Sequence, residues 1–186
     1  MKKLLEYGGI AASVLLIAFG IGATVVGFNG RDQVRSDLGR EQIVGTPDST
    51  IPGQLVDTGS EAQAFAKIMR HHTMEATAGK TYSQMGQYLD ANGKGTDDKA
   101  KAAIDPTTKQ PVANQARQIW VTETALTTAL NTSYFAESVA TFAIVMGVAL
   151  LLAGLGFAVL TAKLLVPATK REGSRALAGS AAVTSA

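Results

Sequence analysis

The chain has no cysteine. That excludes disulfides, thiolate metal sites, iron–sulfur clusters, covalent haem attachment and a lipid anchor on cysteine. Histidine occurs only twice, as the adjacent pair His71 and His72, and tryptophan once. Charge is also scarce, at 17% of residues, where about 25% is usual for a soluble domain. The formal net charge is only +2, and no basic patch is interleaved with aromatics, so nucleic acid is not an expected partner. There is no P-loop, no dinucleotide fingerprint after a strand, no G-x-S-x-G and no H-E-x-x-H. Expected, therefore, are no catalytic residues, no cofactor and no enzyme.

The missing charge is concentrated in two places. Tyr7 to Gly30 and Ser138 to Ala162 carry none at all, and Glu137 and Lys163 close the second stretch. About 20 helical residues cross a hydrocarbon core roughly 30 Å thick, so each stretch is long enough to span a bilayer. A cleaved signal peptide is the competing reading of the first. Its apolar run exceeds the roughly 7–15 residues usual there, and the exit Val26-Gly27-Phe28-Asn29-Gly30-Arg31 offers no small-residue cleavage site. The expected fold is an all-α membrane protein: a cytoplasmic N-terminus (1–6), a first transmembrane helix (7–30), an extracytoplasmic helical domain (31–136), a second transmembrane helix (137–163) and a cytoplasmic tail (164–186). The orientation rests on Lys2, Lys3, Lys163, Lys170, Arg171 and Arg175 at the two ends, against only Glu6 and Glu172. Basic residues near span ends stay inside. Arg31 and Arg35, just past the first span, weaken that signal. The lipid bilayer of a bacterial plasma membrane is then the first partner.

Between the spans the pattern is read as helical. Arg31 to Ile43 continues the first span, and Gly45 to Gly53 is a loop by its Pro and Gly content. Thr58-Gly59-Ser60-Glu61 has capping-box spacing, and Ala62, Phe65, Met69, His72 and Ala76 recur behind it as an apolar stripe. Thr81 to Gln84 repeats the box signal before a short helix bearing Tyr82, Met85 and Leu89. Asp90 to Gly95 is a turn, and Asp97 and Asp98 suit the start of a further helix. From Pro111 nothing breaks the chain until Pro167. One long helix is therefore expected from Val112 to Val166, continuing into the second span.

Candidate chemistry is thin. His71 and His72 diverge by about 100° on a helix. His71 and Glu75 share a face, but a metal site needs three or four protein ligands. His72 reads as a hydrogen-bonded core histidine on the stripe. Met69, Met74 and Met85 would suit copper(I) by softness, but at helical spacing they read as core filler. Asp90, Asn92 and the nearby glycines imitate the start of a calcium loop, yet Lys94 and Lys101 replace two of its ligands. Glu61 and Glu75 read as part of a solvated face. Neither uncharged stretch holds an acidic or basic residue, and such residues mark most ion pathways.

What the spans do carry is small residues. Ala136, Ala140, Ala143, Gly147, Gly154 and Ala158 form a ridge along the second, while Ala18 with Gly22 and Ala23 with Gly27 are four-residue pairs on the first. Small residues let helices approach closely where lipid is as apolar as leucine. These ten are the expected helix-packing residues, serving either the internal hairpin or an assembly.

The chain resembles a family of small, uncharacterised actinobacterial two-span membrane proteins. The resemblance rests on Leu5-Glu6-Tyr7-Gly8, Ala18-Phe19-Gly20-Ile21-Gly22, Gly27-Phe28-Asn29-Gly30, Ile43-Val44-Gly45-Thr46-Pro47-Asp48 and Trp120-Val121-Thr122-Glu123-Thr124-Ala125-Leu126. Members sometimes carry the name aromatic ring-opening dioxygenase. The residues here do not support it, because such an iron site needs two histidines and a carboxylate converging with open positions. The resemblance implies a membrane location and no activity. The function expected is that of a non-enzymatic assembly, scaffolding or accessory subunit, as a homo-oligomer or within a larger membrane complex. The alternative is an extracytoplasmic ligand-sensing module that signals through a partner protein.

Overall fold

A computed structural model describes residues 2–165. It contains three α-helices, α1 (Lys2–Arg40), α2 (Gly59–Ala76) and α3 (Gln115–Leu160), and a π-helical turn, Thr161–Leu165, directly after α3. A 3-10 turn, Tyr82–Gln84, and a minimal antiparallel hairpin of β1 (Tyr88–Leu89) and β2 (Gly95–Thr96) lie between α2 and α3. The end of the long helix at Val166 and the tail from there on lie outside the described residues. The described residues form two compact units, 2–31 with 139–165, and 32–138.

The first unit is a pair of apolar helical segments. α1 and α3 are each long and apolar enough to cross a membrane, and only 11% of the most apolar window of each is buried. A core helix of a soluble protein would be covered by its neighbours, whereas these expose Phe19, Val26, Phe142 and Leu152 at 64–70%. The segments run antiparallel, with Gly9 against Thr161, Gly20 against Gly147 and Leu151, and Gly27 against Ala140 and Ile144. The buried positions in this unit are Ser13, Gly20 and Gly27 on α1, Ala140, Gly147 and Gly154 on α3, and Thr161 at the start of the π-helical turn. Both series repeat every seven residues, the spacing of a left-handed helix pair with a narrow seam.

Glycine is required at that seam. A Cβ on Gly20 would stand 2.8 Å from the Gly147 carbonyl oxygen, and one on Gly147 would stand 2.7 Å from the Thr24 backbone nitrogen. Two hydroxyls on the α1 side of the seam are satisfied within their own helix. Ser13 Oγ donates to the Gly9 carbonyl at 2.7 Å and Thr24 Oγ1 to that of Gly20 at 2.8 Å. Unpaired donors are costly where water is absent, and back-bonding of this kind removes them.

The second unit is built around α2. Leu38, Val56, Ala62, Ala66 and Leu130 form its buried core, with Val34, Ile43, Ile51, Phe65 and Met69 packed on it. Val56, wholly buried, belongs to a loop closed by the Val44–Leu55 bridge and by Val56 N–H donating to the Ile43 carbonyl at 2.8 Å. The capping box at Thr58 and Glu61 is complete and starts α2. Of the expected stripe, Ala62 is buried and Phe65 and Met69 pack on the core, but the covered face then runs to Ala66 and Thr73, while His72 is half-exposed and Ala76 exposed. Alanine and threonine permit closer approach than a histidine would.

The helices expected on either side of the turn at Asp90 to Gly95 do not form between α2 and α3. No helix begins at Asp97 and Asp98, and Leu89 belongs to β1 rather than to a helix with Tyr82 and Met85. Bridges Tyr88–Ala113, Asp90–Ala102 and Ile104–Pro111 tie the region together instead. Local turn chemistry decides this. Asp90 Oδ1 accepts from the backbone of Asn92 and Lys94 at 2.9 and 2.8 Å, and Gly93 takes a φ of +76°, a hairpin turn that asparagine–glycine favours.

Candidate functional site

The ten expected packing residues fall into three groups. Ala140, Gly147, Gly154 and Gly27 are buried in the helix pair of the first unit. Ala143, Ala158 and Ala23 are half-buried beside it, as is Ala136 in the second unit. Ala18 and Gly22 are exposed, and a Cβ on Gly22 would meet nothing within 4 Å. On α1 the internal contact uses Ser13, Gly20 and Thr24, which the four-residue pairs passed over. Their signal was the seven-residue series Ser13, Gly20, Gly27, matching the spacing of Gly147 and Gly154.

In the second unit, two glutamates that composition alone did not single out are buried on α3. Glu137 is 9% exposed. Its Oε1 accepts from Arg35 Nε at 2.7 Å, and its Oε2 from the Gly59 backbone N–H at 2.5 Å. Gly59 is the first residue of α2, where unpaired N–H groups and the helix dipole favour an anion. One carboxylate thus joins α1, α2 and α3. A Cβ on Gly59 would stand 2.8 Å from Tyr134 Cα, so glycine lets the helix start close enough for this bond.

Glu123 is buried more deeply, at 4% exposure. Its side chain accepts one hydrogen bond, from the Thr124 hydroxyl at 3.3 Å. It lines a groove of about 490 Å³ with Met69, Thr73, Gln115, Gln118, Ile119 and Thr122. One turn earlier, Trp120 is 4% exposed and its indole N–H donates to the Lys80 carbonyl at 2.8 Å, while the Arg70 guanidinium lies 5.2 Å from its ring centroid. These contacts pin the C-terminal end of α2 to α3.

The histidines do not converge. His71 Nε2 lies 3.3 Å from Glu75 Oε1 on the exposed face, and His72 Nε2 lies 2.6 Å from Asp48 Oδ2. His72 is therefore a clasp on the 43–56 loop rather than a core residue. Its hydrogen bond is the main reason that the Asp48 carboxyl is held down at about 2. Among the described residues no three His, Asp or Glu side chains gather at metal-binding distance.

These features define the class, a mostly helical chain with two helices long and apolar enough to cross a membrane. No family model, curated protein or solved structure matches the chain.

Proposed function

We propose that the chain is a non-enzymatic membrane subunit that acts in assembly or scaffolding, with both termini cytoplasmic and residues 31–136 on the opposite side. The observation that carries this reading is the division of small residues on α1 between two faces. Gly20 and Gly27 are used within the chain, while Ala18 and Gly22 remain open beside Phe19 and Val26. In a bilayer, a surface with Gly at its centre lets another helix approach to backbone distance, and such approach is a main source of helix association there. A second copy or a different membrane subunit would dock on this face. The topology rests on the basic residues at the outer ends of the two apolar segments.

The test is the mass of the full chain in mild detergent, purified from native membrane, for Gly22→Leu and for the unsubstituted protein. The bulky side chain should lower the mass of the assembly while the monomer keeps its thermal stability. An unchanged mass would remove the support for an assembly through this face. Mixing two differently tagged copies of the chain separates self-association from association with another subunit.

A further inference from the structure

We propose that the groove between α2 and α3 binds a small organic ammonium ion, with the Glu123 carboxylate as its counter-charge. The claim concerns the folded second unit alone and is independent of the assembly reading.

The argument begins with the contrast between two glutamates on one helix. Glu137 has a guanidinium and a helix N-terminal N–H on its carboxylate. Glu123 is more buried, yet among the described residues its side chain receives only the hydroxyl of its neighbour Thr124, at 3.3 Å. That distance is long for an O–H···O bond, whose usual value is about 2.7–2.8 Å. The residue is largely covered, and its carboxylate meets water only through the open groove, where a cation beside it would replace weak solvation with a charge-assisted bond. Arg70, on the facing helix, is placed over the Trp120 ring instead.

The cavity beside this carboxylate has the composition such a ligand needs. Met69 and Ile119 offer apolar surface for a short alkyl chain. Thr73, Gln118 and Thr122 carry oxygens that can accept the ammonium N–H bonds Glu123 leaves free. A volume of about 490 Å³ falls within the roughly 300–1,000 Å³ of small-molecule sites. A metal ion would need two or three further anionic or imidazole ligands, and the described residues bring none there. An anion would meet the carboxylate itself. An ammonium ion supplies both the charge and the donors, and such charge-assisted bonds are the stronger kind. Bound ligand would also lock α2 to α3, which is what the sensing alternative would require.

The probe is n-butylammonium, with n-butanol and butyrate as shape-matched neutral and anionic controls. Binding to the full chain in detergent is followed by ligand-observed NMR and by the thermal unfolding midpoint. Butylammonium should bind at least tenfold more tightly than butanol and raise the midpoint with concentration, whereas butyrate should do neither. Glu123→Gln should abolish the ammonium preference while the protein still unfolds cooperatively. Should that variant fail to fold, Gln118→Trp, which fills the mouth of the groove and keeps Glu123, must also lose the response. Equal binding of the three probes, or an ammonium preference that survives either variant, overturns the proposal.

Discussion

Glu137 shows how much one residue can hold in place, because its two oxygens are shared between Arg35 and the first N–H of α2. Removing one partner of a buried pair leaves the other uncompensated, which typically costs about 3–5 kcal/mol. Arg35 is 39% exposed and keeps some water, so Glu137→Ala should cost nearer about 2–3 kcal/mol. Glu137→Gln, which retains an acceptor for Gly59, should cost less. Chemical unfolding of the three proteins checks the order, and an alanine variant as stable as the parent would refute it. Asp48 gives a pH signature. Its carboxyl lies near 2 in the folded protein against an ordinary 3.8, chiefly through His72. The unfolded chain therefore binds this proton more readily. The stability that Asp48 contributes is fully present above 3.8 and is lost as pH falls through 2. Asp48→Asn should flatten the stability curve across that window, and parallel curves for the two proteins would contradict the assignment.

At the level of whole elements, the helix pair turns on glycine. Gly147→Leu or Gly154→Leu would drive a side chain into Thr24 and Gly20, or into Leu16 and Ile17. Overpacking of this kind commonly costs about 1–3 kcal/mol, and here it meets backbone that cannot yield. Each variant should lower the thermal stability of the protein itself. Leu152→Phe, at a site 66% exposed, should be tolerated. If both glycine variants unfold like the parent, the seam is not what holds the pair. The ridge on α3 was legible because glycine recurs there every seven residues. On α1 the four-residue pairs Ala18–Gly22 and Ala23–Gly27 stood out, yet the internal contact follows Ser13, Gly20 and Gly27. Both patterns are rich in small residues, and only the partner helix selects which face is used. Between residues 77 and 114 the turn at Asp90 to Gly95 and the box at Thr81 and Gln84 are legible, whereas the helices expected on either side of the turn do not form. The apolar residues there are sparse, so local turns at Asp90 and Gly93 override any helical preference.

For the molecule as a whole, the proposed topology has a direct check. Protease added to intact cells should leave the tail beyond Ala168 untouched, and a reporter fused there should register as cytoplasmic. Cleavage of that tail from outside would reverse the orientation. What the amino-acid order determined by itself is the coarse plan. Two uncharged runs of more than 20 residues, without proline, dictate two long apolar helices, because length and hydropathy are summed along the chain. The capping box at Thr58 is likewise local and readable. Only the tertiary structure decided the rest. It turned α2 so that Ala62, Ala66 and Thr73 face the core, and brought His72 to Asp48 across 24 residues. It also brought Arg35, 102 residues away, and the Gly59 N–H to Glu137, whereas among the described residues Glu123 receives a hydrogen bond only from Thr124. In sequence those two glutamates are alike, each a charge in a helix. Their difference lies in what other segments place beside them, and a carboxylate's environment is set by neighbours in space.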